Sequence, residues 1–187
     1  MCLSGIGYPC IFYLHGLLLL CIWRTPEAVR EYNISFVLGK FPDGVYALQE
    51  VNKINDNIEI CRQRLEKDTF AKHLGIKITE IKPGYARAEL IVTPELLNGA
   101  GLTHGSTVFA LADIVFAAAS NSHGSLALAL NISINFLKAT YEGARLTAVA
   151  REENLTRKTG LYRLEVRDEK NDLVALAAGM AYIKGKA

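Results

Sequence analysis

The chain has 187 residues, half of them hydrophobic and 21% charged, with a formal net charge of +2. These values bound one soluble domain of ordinary size plus an extension. No block of Lys and Arg tracks phosphates anywhere, which excludes a nucleic-acid partner while leaving an anionic small molecule compatible. The four cysteines, Cys2, Cys10, Cys21 and Cys61, contain no CxxC and have no histidine at a metal-ligand interval. Neither a disulfide framework nor a metal site is indicated, and a reducing cytoplasm is the expected setting.

The first 23 residues carry no Asp, Glu, Lys or Arg, and Ile11 to Trp23 is nearly unbroken apolar sequence. A membrane span needs roughly 20 apolar residues. Gly7 and Pro9 interrupt the run, no basic segment precedes it, and no small-residue cleavage site follows. A membrane partner is therefore not expected. Residues 24–50 show little periodicity. The organisation read from this is an apolar extension over 1–54 and a folded domain over 55–187. The extension is compatible with an anchor, a genuine addition, or sequence upstream of the true start.

From residue 55 the patterning is strong. Asn55, Asp56 and Asn57 offer N-caps to a helix with Ile58, Cys61 and Leu65 on one face, running to His73 or Leu74 and stopped by Gly75. A hairpin follows: Ile76 and Ile78, a turn at Pro83-Gly84, then alternating Ala86, Ala88, Leu90 and Val92. Residues 94–103 form a glycine-containing loop, and Thr103 is placed to cap an apolar helix from His104 to about Asn121. Alternation then returns, with Leu126, Leu128, Leu130, Ile132, Ile134 and Phe136 on one face. Further strands are expected near Leu146–Glu152, Leu161–Arg167 and, after a turn at 168–172, Leu173–Ile183. Short connections make the sheet antiparallel, and a helix apolar nearly all round must be buried. The fold class is thus α+β, a curved antiparallel sheet wrapped around a long central helix.

One residue breaks the apolar helix: Asp113. Withdrawing a carboxylate from water costs several kcal/mol unless hydrogen bonds or a charge compensate. A structural ion pair or a place in a dimer seam is the alternative to a chemical role. Upstream lies Asn98-Gly-Ala-Gly101-Leu-Thr-His104-Gly105-Ser106. Free N–H groups at a helix N-terminus receive developing negative charge, and Gly105 permits close approach of a carbonyl. The Asn98 carboxamide supplies a second donor. Arg157-Lys158, at a later turn, could reach phosphates or stand as a solvated turn. His73 and His123 read as helix-end or surface residues.

The stretch Asn98-x-x-Gly101-x-x-His104-Gly105 with Leu111-Ala112-Asp113 resembles the PaaI-like hotdog thioesterases of the phenylacetate-pathway group. So do Phe116-Ala-Ala-Ala-Ser-Asn121-Ser-His-Gly124 and Asn135-Phe136-Leu137-Lys138. The resemblance spans roughly 70–184. It implies hydrolysis of an acyl-CoA, aryl or phenylacetyl types included, with no cofactor beyond the CoA of the substrate. It implies Asp113 as general base or nucleophile, Gly105 N–H polarising the thioester carbonyl, and Asn98 orienting substrate and water. His104 and Ser106 would support the substrate loop, and Arg157 and Lys158 the CoA. It further implies a homodimer or dimer of dimers, with the Asn/His-Gly segment and the Asp drawn from different subunits. Two departures stand out: Ser106 where the family often has a second glycine, and Ala139-Thr140 where it often has a proline. The second is expected to alter only a loop. The competing readings are a dehydratase, whose His-plus-acid arrangement is missing, and a non-catalytic acyl-CoA sensor on the same fold.

Overall fold

The computed structural model describes residues 10–14, 17–21 and 45–185, with side chains from residue 51 to 184. The chain divides into two units, 1–49 and 50–187. In the first, β1 (Cys10–Leu14) pairs antiparallel with β2 (Leu17–Cys21), so part of the apolar run forms a hairpin. Among the described residues no helix is long and apolar enough to cross a membrane. The reading of 24–44 lies outside the described residues.

The expected single helix before Gly75 is two. Helix α1 (Val45–Leu65) contains Asn55, Asp56 and Asn57 within its body, so these are not caps. It ends where the Lys67 and Asp68 N–H groups close tight turns onto Arg64 and Leu65 carbonyls. Asp68 then caps α2 (Thr69–Leu74), its carboxylate accepting from Ala71 N–H at 2.9 Å. A side chain that satisfies an orphan N–H restarts the helix in a new direction, and periodicity does not report this. Gly75, at φ 75°, ends α2 as expected.

Six strands follow the alternation: β3 (Lys77–Lys82), β4 (Tyr85–Ile91), β5 (Leu126–Phe136), β6 (Arg145–Leu155), β7 (Thr159–Arg167) and β8 (Leu173–Gly185). They form one antiparallel sheet in the order β3-β4-β6-β7-β8-β5. The long helix α3 (Gly105–Asn121) lies against it, burying eleven residues from Thr107 to Ser120. Small side chains on the sheet admit it: Ala86, Ala88, Ala148 and Ala150 are fully buried. Gly179 allows the Phe116 ring to lie where a Cβ would come within 3.1 Å of it. Phe116 in turn meets Tyr162 edge-on, with ring centroids 5.4 Å apart.

Bulges revise the facing of two strands. In β5, Ala129 opposes Ala181 and Asn131 opposes Met180, leaving Leu130 as the extra residue. The uniform apolar face expected from Leu126 to Phe136 is therefore broken. Ala127 is buried, Ile132 and Ile134 pack on the core, and Leu128 and Leu130 are exposed. In β3 the extra residue is Thr79, between Ile78 opposite Ala88 and Glu80 opposite Arg87.

Two polar ties hold the segment after β5 against the start of α3. Thr140 Oγ1 donates to Thr103 Oγ1 at 2.7 Å, and Thr103 N–H donates to the Thr140 carbonyl at 2.8 Å. Both residues are buried. Thr140 thus does more than alter a loop, because its hydroxyl gives buried Thr103 a hydrogen bond that a proline in its place could not. Lys138 spans from this segment to Asp168 and Asp172, at 2.5 and 2.7 Å. The ammonium beside Asp168 holds that carboxyl below the ordinary carboxylate range. A lowered native pKa contributes stability that is present above the unfolded pKa, about 3.9, and lost as pH falls through the native value. Asp168→Asn keeps the turn-capping oxygen but removes the charge. Its melting temperature should fall below wild type at pH 7, with the gap closing as the pH is taken below 4 in thermal scans.

Candidate active site

The loop before α3 is built by Asn98. Its Oδ1 accepts from the N–H groups of Ala100 at 2.9 Å and Leu102 at 3.1 Å, an Asx arrangement. Two donors on one atom fix that atom as the oxygen. The Asn98 Nδ2 group is thereby turned away from the loop and has no hydrogen-bond partner among the described residues. A bridge between Leu97 and Thr103, with Gly101 at φ 74°, closes the loop.

The cap of α3 is His104, one residue later than expected, since Thr103 is engaged with Thr140. His104 Nδ1 accepts from Ser106 N–H at 3.1 Å and lies 2.6 Å from Ser106 Oγ. An accepting Nδ1 places the ring proton on Nε2. His104 and Ser106, both exposed, therefore support the helix start through each other. Between them Gly105 N–H has no partner among the described residues. A Cβ on Gly105 would lie 3.6 Å from the Phe136 ring, so glycine leaves an open approach to that N–H beneath an aromatic wall. The helix start thus offers two free donors, Gly105 N–H and Asn98 Nδ2, suited to developing negative charge on a carbonyl oxygen.

Asp113 lies two turns further along α3. It is half-buried and has no hydrogen bond or ion pair among the described residues. Burial pushes its carboxyl up, and the Asp68 charge on the α2 cap adds to this. Sequence pattern singled out Asp113 but not Asp68, which fell inside the single helix expected before Gly75. With Ser106, Phe109 and Ala117, Asp113 forms the stripe of α3 that the sheet leaves uncovered. Within one chain Asp113 and Gly105 are eight residues apart, about 12 Å of helix at 1.5 Å per residue. One carbonyl group cannot meet both in the same subunit.

Arg157 and Lys158 are exposed at the β6–β7 turn, which Thr156 closes with its hydroxyl on Lys158 and Thr159 N–H. Lys158 Nζ sits 5.7 Å over the Tyr182 ring. Tyr182 pairs with Leu128 at the far end of β5, whereas Gly105 lies by Phe136. Eight strand residues, about 27 Å, separate those ends, so one chain does not bring this turn to the helix start. His123 is not a bland surface residue: its Nε2 lies 2.7 Å from Glu152 Oε2, which also accepts from buried Tyr162 at 2.8 Å. Among the described residues no group of three or more His, Cys, Asp or Glu is placed to hold a metal. Cys61 is buried against the Ala118 carbonyl, and burial pushes its thiol up to about 11.

A carboxyl raised by burial is costlier to ionise in the folded chain than in the unfolded one, so at neutral pH it subtracts stability. Asp113→Asn should therefore melt higher than wild type at pH 7. The gain should vanish near pH 3, where both states hold the proton.

Residues 100–175 match the model of the thioesterase superfamily. A relative from Archaeoglobus fulgidus is 49% identical over 117 residues, which cover 63% of this chain and 76% of the relative. The acyl-coenzyme A thioesterase PaaI of Escherichia coli is 38% identical over 117 residues, 63% of this chain and 84% of that protein. Its solved structure, from the phenylacetic acid degradation operon, superposes with a TM-score of 0.68 at 35% identity, covering 73% of this chain and 96% of the other. A Streptococcus mutans protein solved with acetyl-CoA bound is 28% identical with a TM-score of 0.58, covering 59% of this chain and 90% of that one.

Proposed function

The chain belongs to the hotdog-fold thioesterase superfamily, a family of thioester hydrolases, and we propose that it is an acyl-CoA thioesterase working as a dimer, with Asp113 as its catalytic carboxylate. The observation that carries this reading is the pairing of a half-buried carboxylate without a partner and a helix start with two free donors. Asp113 takes a proton from water, and the hydroxyl oxygen adds to the thioester carbon while Gly105 N–H holds the carbonyl oxygen. Asn98 Nδ2 orients the ester or the water. The C–S bond then breaks, and the thiolate leaves readily because thiols ionise near 8.5. A direct attack by Asp113, through an anhydride, uses the same contacts. CoA esters are the substrate class of the E. coli relative and the ligand class of the S. mutans one. A cytoplasmic location is part of the same reading.

The edge strands support the dimer. Edge β3 is short, bulged and flanked by Lys77 and Lys82, features that discourage pairing. Edge β5 is 11 residues long and exposes Leu128 and Leu130 at 52% and 60%, and Phe136 at 54%. Two copies joined antiparallel along β5 would cover it by two-fold symmetry. The uncovered α3 stripes would then face each other, bringing Gly105 of one subunit toward Asp113 of the other. Such pairing also carries the 126–128 end of one chain, with its Arg157-Lys158 turn, toward the partner's helix start.

Position 105 allows the N–H to be deleted within a helical backbone, the proline ring also filling the approach that glycine leaves open. It is the first residue of α3, where proline is tolerated, and His104 at ψ 137° has the extended backbone that precedes proline. Gly105→Pro should fold and dimerise yet lose about a hundredfold or more in kcat/KM toward acyl-CoAs. Asp113→Asn should lose at least as much. Mixing the two inactive variants with subunit exchange should restore activity, since one site of each mixed dimer then has both groups intact. Thiol release measured on the mixture decides this: no recovery places both groups in one subunit, and tight CoA-ester binding without turnover by wild type points to a sensor.

A further inference from the structure

The end of α3 is held by a polar cluster that no step of the reaction touches. Buried Ser122 accepts from Gly84 N–H at 2.8 Å through its Oγ, which donates to the Ala119 carbonyl at 2.7 Å. The Gly84 carbonyl takes the Glu152 N–H at 2.8 Å, so the β3–β4 turn joins α3 to β6. Glu152 then reaches α3 by two routes that share one atom. Its Oε2 lies 2.7 Å from His123 Nε2, just past the helix, and accepts from Tyr162 at 2.8 Å. Tyr162 in turn lies edge-on to Phe116, three residues after Asp113. Burial opposes charge on Glu152, yet the His123 and Tyr162 donors hold its carboxyl below the ordinary carboxylate range. Among the described glycines, a Cβ would come within 3.0 Å of another group only at Gly84, Gly124 and Gly160. All three border this cluster: Gly84 against Glu152, Gly160 against Tyr162, and Gly124, next to His123 in the chain, against Asn57.

We propose that Glu152 is a positioning residue for the hydrolysis: its carboxylate fixes α3 along the helix axis, and thereby sets where Asp113 and the Gly105 N–H stand in the two sites of the dimer. This rests on the thioesterase reading above and extends it to a residue that meets no reacting atom. The seat of α3 is what makes such a tie necessary. Apolar contact is non-directional, and the fully buried Ala86, Ala88, Ala148 and Ala150 present a smooth floor. That floor holds the helix down without marking its place lengthwise. Directional bonds mark it, and they stand at the two ends: Thr103 on Thr140 before Gly105, and the Glu152 cluster after Asn121. Asp113 is the middle residue of α3, eight from Gly105 and eight from Asn121, about 12 Å each way. A stiff helix passes a slip at either end to Asp113 and Gly105 alike. Misplacement of a reacting group by about 1 Å costs roughly a hundredfold in rate, so small slips are felt.

Glu152→Gln keeps the shape and an acceptor for Tyr162 while removing the charge that draws His123, and Thr140→Val removes the hydroxyl at the other end. The full-length single variants and the double variant would be assayed by thiol release from acetyl-, hexanoyl- and phenylacetyl-CoA, alongside thermal scans. Each single variant should lose roughly fivefold or more in kcat with KM within about twofold, on every ester alike. The two ends of α3 are about 25 Å apart, so the falls in melting temperature should add. The losses in kcat should not. With both ends released, the double variant should lose at least about threefold more than the product of the single losses. Tyr162→Phe keeps the ring against Phe116 and frees one of the two Glu152 contacts. It should show the same loss and the same coupling, and it decides the matter where Glu152→Gln yields no folded protein. Unchanged kcat in both cluster variants, losses confined to KM, or kcat losses that simply multiply would overturn the assignment and leave the cluster a stability element. A wild type that hydrolyses none of the three esters would instead sink the thioesterase reading itself.

Discussion

A helix with apolar side chains on nearly every face cannot be satisfied by one layer of sheet, and α3 is such a helix. The six-stranded sheet covers most of it by using alanine and glycine where the helix passes closest. What it leaves is the stripe of Ser106, Phe109, Asp113 and Ala117. A phenylalanine left 36% exposed beside a half-buried carboxylate is a poor solvent-facing surface and a good half of an interface. The carboxylate sits there because deeper burial would cost several kcal/mol without a partner, while full exposure would leave it an ordinary aspartate. The half-buried position is the compromise that keeps it ionisable and basic.

The same helix supplies its other chemistry from a different place and by a different means. At its start the useful groups are backbone N–H and a carboxamide, whose positions depend on how rigidly the loop is held. Asn98 is held by two N–H groups on one oxygen, Thr103 by Thr140, and Thr140's segment by Lys138 on two carboxylates. These ties run from the sheet to the helix terminus without touching Asp113. A helix is stiff, so the Gly105 N–H and the Asp113 carboxylate stay about 12 Å apart in one chain. The proposed dimer would bring them to one substrate by symmetry.

Much of this was legible in the sequence because it is written in period and punctuation. Pro83-Gly84, the alternation of Ala86 to Val92, Gly75 after a helix, and Asp113 in an apolar run each have one local physical cause. What was not legible depends on partners distant in sequence. Whether Thr103 or His104 caps α3 is decided by Thr140, which no local pattern connects to either. The break between α1 and α2 depends on the Asp68 side chain turning back to Ala71. His123 looked like a helix-end residue because its carboxylate partner is 29 positions away on β6. The extra residues in β3 and β5 keep composition and alternation intact to the eye while reversing which side chains reach the core.

Those bulges show where this fold keeps its freedom to vary. Asp113, Gly105 and Asn98 ride on one stiff helix and its anchored loop, whereas the apolar wall of Leu65, Ala71, Ile76, Ile78 and Ile81 is assembled from an edge strand, the end of α1 and the short α2. A one-residue insertion in β3 sets which isoleucines line that wall without disturbing the buried alanines opposite. Desolvation already opposes ionisation of the Asp113 carboxyl, so any further loss of water around it would make it a stronger base toward a water left beside it.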